Sequence, residues 1–147
     1  SDAGSKEYAV INKIIRDNVS KINNTISLIL ENLKLEMKDC FVMGFSQGGI
    51  MAFELGRSIK SKLGGMGIIS SRIIKKNETP NSIFQQTPIF ISHGAQDDVL
   101  PISNFNQSID ILKKGNYNFE SHLIEKDTHT MSPDTIKLFQ DFIKKNI

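Results

Sequence analysis

Three side-chain types, far apart in the chain, could together run nucleophilic acyl transfer: the hydroxyl of Ser46, a carboxylate from Asp97 or Asp98, and the imidazole of His129. A serine hydroxyl is a weak nucleophile and needs a neighbouring base to take its proton. An imidazole can do that near neutral pH. A carboxylate beside the imidazole fixes its tautomer and stabilises the cation that forms. Ser46 stands in Gly44-Phe45-Ser46-Gln47-Gly48-Gly49, three glycines in six residues, directly after a short apolar run. The acids lie in His93-Gly94-Ala95-Gln96-Asp97-Asp98 and the base in Asp127-Thr128-His129. Each has a plainer reading. One aspartate could hold its own loop as an Asx turn. His93 reads as structural, and His122, inside an alternating stretch, reads as packing or surface. No His, Cys and carboxylate cluster has metal-ligand spacing, so no metal is expected.

The elements that must position these groups follow from periodicity. Ile11, Ile15, Val19, Ile22, Ile26, Ile29 and Leu33 recur at steps of three and four and place a helix over residues 9–35. Residues 39–45 read as a buried strand and residues 48–60 as a helix, which Gly64-Gly65 breaks. Strands follow at 66–70, 88–92 and 117–125, with a polar, irregular segment over 71–86. Pro101 opens a helix that runs to Gly115. Ser132 and Pro133, as N-cap and first helical residue, open a last helix that turns Ile136, Phe139, Phe142 and Ile143 inward. Strands that alternate with helices imply a mostly parallel sheet with helices on its faces. Ligands then bind outside the carboxyl ends of the strands. Ser46, the Asp97-Asp98 pair and His129 each follow a strand, so all three fall on that rim.

Gly44 to Gly48 has the form G-x-S-x-G, the strained strand-to-helix turn that lifts a serine oxygen above the sheet in α/β-hydrolases. In that turn Gly44 and Gly48 keep side chains out of a crowded space. The N–H of Gln47 faces the site from the first turn of a helix, where it can stabilise a developing oxyanion. The chain order serine, acid, histidine is the hydrolase order. The competing reading is a glycine-rich phosphate loop, but the Walker lysine is absent and G-x-G-x-x-G does not fit.

Composition bounds the rest. The 147 residues suffice for one domain. Net charge is +2, too close to balance to argue for a nucleic acid or an anionic membrane as partner. No apolar run approaches the ~20 residues of a membrane helix, and no signal-peptide pattern is present. Cys40 has no second cysteine to pair with and reads as a small packing residue, which fits a reducing, cytoplasmic compartment.

The stretches GFSQGGIMAFELG, HGAQDDVLP and THTMSPDTIKLFQDFI resemble the C-terminal motifs of the phospholipase/carboxylesterase family, which includes bacterial carboxylesterases and acyl-protein thioesterases. The resemblance runs from about residue 12 onward. It implies an α/β-hydrolase fold, three-layered, and a serine hydrolase that acts on carboxylic esters or thioesters without a cofactor. It places the acid on Asp97 rather than Asp98 and the base on His129. It also makes Ile73 and Ile74 candidates to line an acyl pocket, against the plainer reading that they cover the core. Two departures stand out. The family usually has glycine where Thr128 precedes the histidine. Its second oxyanion N–H comes from an H-G-x-G loop among N-terminal strands, and no such segment occurs in these residues. The expectation is therefore a single partial domain over 1–147, the C-terminal portion of a hydrolase. Its first strand, central in a whole domain, would be left as an edge free to self-associate. The rival functional reading is a non-catalytic remnant or interaction module that kept the motifs by descent.

Overall fold

The computed structural model describes residues 2–147, with helices α1 (Asp2–Leu33), α2 (Gln47–Ser58), α3 (Ile102–Lys114) and α4 (Pro133–Lys145). Between them run strands β1 (Phe41–Phe45), β2 (Gly65–Ile69), β3 (Ile89–Gly94) and β4 (Phe119–Ile124). The strands form one parallel sheet in the order β1-β2-β3-β4. Every residue of β2 and β3 is buried. These two are central strands covered on both faces, so they read as unbroken apolar runs.

The pleat divides the central side chains between two layers. Met66, Ile68, Ile89 and Ile91 join Ile15 and Val19 of α1, Phe53 and Leu55 of α2, and Phe105 and Leu112 of α3 in one core. Ile69 and Phe90 point the other way and pack with Phe142 of α4, flanked by Phe41, Phe139 and Ile143. Gly67 faces the Phe139 ring so closely that a Cβ there would overlap it. This is the three-layered arrangement the sequence implies.

Two helices depart from the expected pattern. α1 begins near residue 2 rather than residue 9 and runs for 32 residues, about 48 Å at ~1.5 Å per residue. It packs on α2, which has 12 residues, about 18 Å at ~1.5 Å per residue, so the helix outruns its support. Ile15, Val19 and Leu30 are buried, whereas Ile11, Ile29 and Leu33 of the expected stripe are exposed. In α4 the cap forms as expected: Thr135 N–H donates to Ser132 Oγ and Pro133 opens the helix. Phe142 is buried and Phe139 and Ile143 pack beside it, but Ile136 is 42% exposed. Buried Thr135 takes the inward position of that first turn, and Ile136, ~100° further round, falls off the stripe.

Candidate active site

The chain leaves β1 at Phe45 and turns into α2 through Ser46, whose φ of 54° and ψ of −122° lie outside the regions ordinary residues favour. Such a conformation persists only where surrounding bonds hold it. Ser46 N–H donates to the Ile69 carbonyl at 3.0 Å, and its own carbonyl accepts from Gly49 N–H at 3.0 Å. The same carbonyl accepts from the Ser71 hydroxyl at 2.5 Å. A Cβ on Gly44 would overlap the Gly48 carbonyl, so glycine is required there. Gly48 is a correction: a Cβ on it would meet only open space, and the second position that excludes a side chain is Gly49, which faces Ser71. Gln47 is the first residue of α2, where a backbone N–H has no intrahelical acceptor.

His129 reaches both of its expected partners. Its Nδ1–H donates to Asp97 Oδ2 at 2.8 Å. Its Nε2 lies 3.1 Å from Ser46 Oγ. A carboxylate only accepts, so the ring proton sits on Nδ1 and Nε2 is left to accept from the serine hydroxyl. The Phe45 ring lies against the imidazole, centroids 5.0 Å apart at 47°. Sequence reasoning passed over Phe45, although it occupies the first variable position of the elbow.

Asp97 rather than Asp98 is the acid that the structure brings to His129. Its side chain is 0% exposed, while Asp98 is exposed. Asp97 Oδ1 accepts from Val99 N–H at 2.9 Å and Leu100 N–H at 2.7 Å. Burial pushes this carboxyl's pKa up, but the Leu100 N–H, the His129 bond and the Val99 N–H outweigh it and hold it below the usual aspartate value.

The loop that carries His129 is fixed from below. Gly94 lets the Asp127 and Thr128 carbonyls approach where any Cβ would collide with them. Gln96 N–H donates to the Asp127 carbonyl at 2.9 Å, which ties the acid loop to the base loop. The buried Asp127 carboxylate accepts from Ser132 Oγ at 2.6 Å and Thr135 Oγ1 at 3.3 Å, joining the loop to the start of α4. Asp127 was visible in the sequence only as a neighbour of the histidine. Thr128, where glycine is usual, is not among the described residues with positive φ, and its side chain is exposed. The backbone there needs no glycine.

Ile73 is buried in the main core and Ile74 packs against it. Both border a cavity of about 790 Å³ between the end of α2, residues 72–81 and α3, and none of Ser46, Asp97 or His129 lines it. His122 stacks on Phe90 at 5.1 Å and pairs with Glu120, a packing role as expected. Among the described residues no helix is long and apolar enough to cross a membrane.

Known proteins resemble this chain in sequence and in fold. Acyl-protein thioesterase 1 of Gibberella zeae is 29% identical over 109 residues, covering 71% of this chain and 46% of its own length. The chain spans about half the length of the curated relatives it matches. Arabidopsis thaliana SOBER1 superposes with a TM-score of 0.83 at 20% identity, covering 90% of this chain and 64% of that one. MGS-M1, an alpha/beta hydrolase enzyme from a Medee basin deep-sea metagenome library, gives 0.70 at 21% identity, covering 87% and 64%. The sheet, its helices and its elbow are those of the α/β-hydrolase fold. The phospholipase/carboxylesterase family model matches residues 2–147, from the first helix through the His129 loop and α4, and the chain belongs to that family.

Proposed function

We propose that this chain carries the nucleophile, base and acid of a serine hydrolase that cleaves carboxylic esters or thioesters through an acyl-enzyme. The observation that supports it most is the continuous path from Ser46 Oγ through His129 to the buried Asp97, with contacts of 3.1 Å and 2.8 Å. Ser46 Oγ attacks the acyl carbon as its proton passes to His129 Nε2. The carbonyl oxygen becomes an oxyanion facing the Gln47 N–H. Collapse of the tetrahedral intermediate breaks the bond to the alcohol or thiol, which leaves with the proton from Nε2. A water then gives its proton to Nε2, attacks the acyl carbon and releases the acid, and Ser46 recovers its proton. Asp97 keeps the ring oriented and stabilises the imidazolium throughout. No cofactor enters these steps. The thioesterase relatives make acyl thioesters natural first substrates to try.

The test is a fluorophosphonate probe on the intact chain and on Ser46→Ala. We expect labelling of the unsubstituted chain and none of Ser46→Ala. Equal labelling of both proteins rejects the assignment. The rival reading, a catalytically impaired remnant, predicts no Ser46-dependent turnover of p-nitrophenyl acetate.

The free side of β1 supports a further part of the proposal, that copies of this chain associate there. β1 pairs with β2 alone among the described strands, and Met43 and Phe45 on it are 42% and 39% exposed. An open apolar edge pairs with other chains. Sedimentation of the isolated chain as a stable monomer would count against it.

A further inference from the structure

His93 is fully buried, yet the acyl-transfer chemistry above does not use it. Its Nε2 lies 2.8 Å from the Leu100 carbonyl. A carbonyl can only accept, so Nε2 carries the ring proton. The same nitrogen lies 3.4 Å from Asp97 Oδ2, with both side chains 0% exposed. His93 Nδ1 is buried without a hydrogen-bond partner. The ring rests against Phe105 of α3, centroids 5.6 Å apart at 31°. If this site asked only for packing, an apolar residue would fill it without leaving a buried nitrogen unpaired. What the imidazole supplies is one N–H in one place.

That place closes a circuit around the acid. Leu100 donates its backbone N–H to Asp97 Oδ1, and its own carbonyl accepts from His93. Oδ2 receives the His129 Nδ1–H on one side and has the His93 N–H beside it on another. β3 is a central strand, so His93 is anchored in the most rigid part of the sheet and reaches up to the loop. We propose that His93 is a positioning residue: it pins the 97–100 loop to β3 and orients the Asp97 carboxylate toward His129. This rests on the hydrolase reading for its consequence in rate, though not for its geometry.

The experiment separates the two. In the intact chain we compare His93→Met, which keeps the bulk, with His93→Gln, whose side-chain amide restores an N–H at similar reach. One readout is the low-field proton resonance of His129 Nδ1–H. The other is the rate of Ser46-dependent fluorophosphonate labelling, as a function of probe concentration. We expect the resonance to be lost or broadened in His93→Met. Its maximal labelling rate should fall about 10²-fold, the size of effect a 1 Å misplacement can have, with half-saturation changed less than about twofold. His93→Gln should recover most of both. A folded His93→Met with an unchanged resonance and rate overturns the inference and leaves the hydrolase reading standing. If the unsubstituted chain does not label either, the hydrolase reading fails and the resonance alone decides this one. If His93→Met does not fold, amide exchange in the unsubstituted protein decides. Val99 and Leu100 N–H must then be protected to the level of β3, and rapid exchange there overturns the proposal.

Discussion

The rim above the sheet and the flank beside β1 share one five-residue strand, and they are in opposite states. On the rim almost every polar group is answered. Ser46 is held by Ile69, Gly49 and Ser71, Asp97 takes two backbone N–H groups and an imidazole, and Asp127 locks the base loop to α4. On the flank little is answered. β1 has one neighbour among the described strands, and Met43 on it is exposed. The candidate site depends on local hydrogen bonds that the chain supplies for itself. The proposed association would bury the flank against a second surface. Chemistry and association can therefore be broken separately.

The largest effects belong on the rim. Ser46→Ala and His129→Ala should each abolish probe labelling, while gel-filtration behaviour stays as in the unsubstituted chain. Asp97→Asn should lower the labelling rate by about 10⁴, as loss of the orienting acid does in a serine protease. A fall in both rate and association would show that the two regions are not independent.

Backbone clashes come next. Gly44→Ala and Gly94→Ala put a methyl into a carbonyl oxygen. Each should destabilise the chain by about 2–4 kcal/mol, seen as a lower urea midpoint. Gly48→Ala points into open space and should change the midpoint little.

A pH arm tests the rim from another side. Asp97 has its carboxyl held below the usual value. A depressed folded-state pKa gives stability that is fully present above the unfolded-chain value of about 3.9 and is lost as pH falls through the folded value. The gap in melting temperature between the unsubstituted chain and Asp97→Asn should thus be widest near neutrality and shrink below about pH 4. A gap that stays constant with pH would assign the effect to packing. The smallest change is expected on the flank: Met43→Lys should abolish association and move monomer stability by no more than ~0.5 kcal/mol.

Much of this was legible in the sequence because the informative residues act through local rules. The elbow, the Ser132-Pro133 start of α4 and the buried runs of β2 and β3 each depend on a few neighbours in the chain. The choice between Asp97 and Asp98 was not local. It needed the resemblance, and the structure shows why: one carboxylate turns under the loop toward Val99, Leu100 and His129, and the other faces solvent. Glycine roles were half legible. Composition marks a tight turn, but whether Gly48 or Gly49 is the crowded one depends on Ser71, 22 positions beyond Gly49. The overhang of α1 could not be read at all, since periodicity shows that a helix has an apolar face and not whether anything lies against it.

The hydroxyl and imidazole that meet at 3.1 Å are separated by 83 positions. A ribosome adding roughly 5–20 residues per second emits the serine about 4 to 17 s before the histidine. During that interval a nascent chain displays the elbow with nothing to deprotonate it. The proposed Ser46–His129 contact, on this ordering, arrives late and all at once, when β4 docks on β3 and delivers its loop.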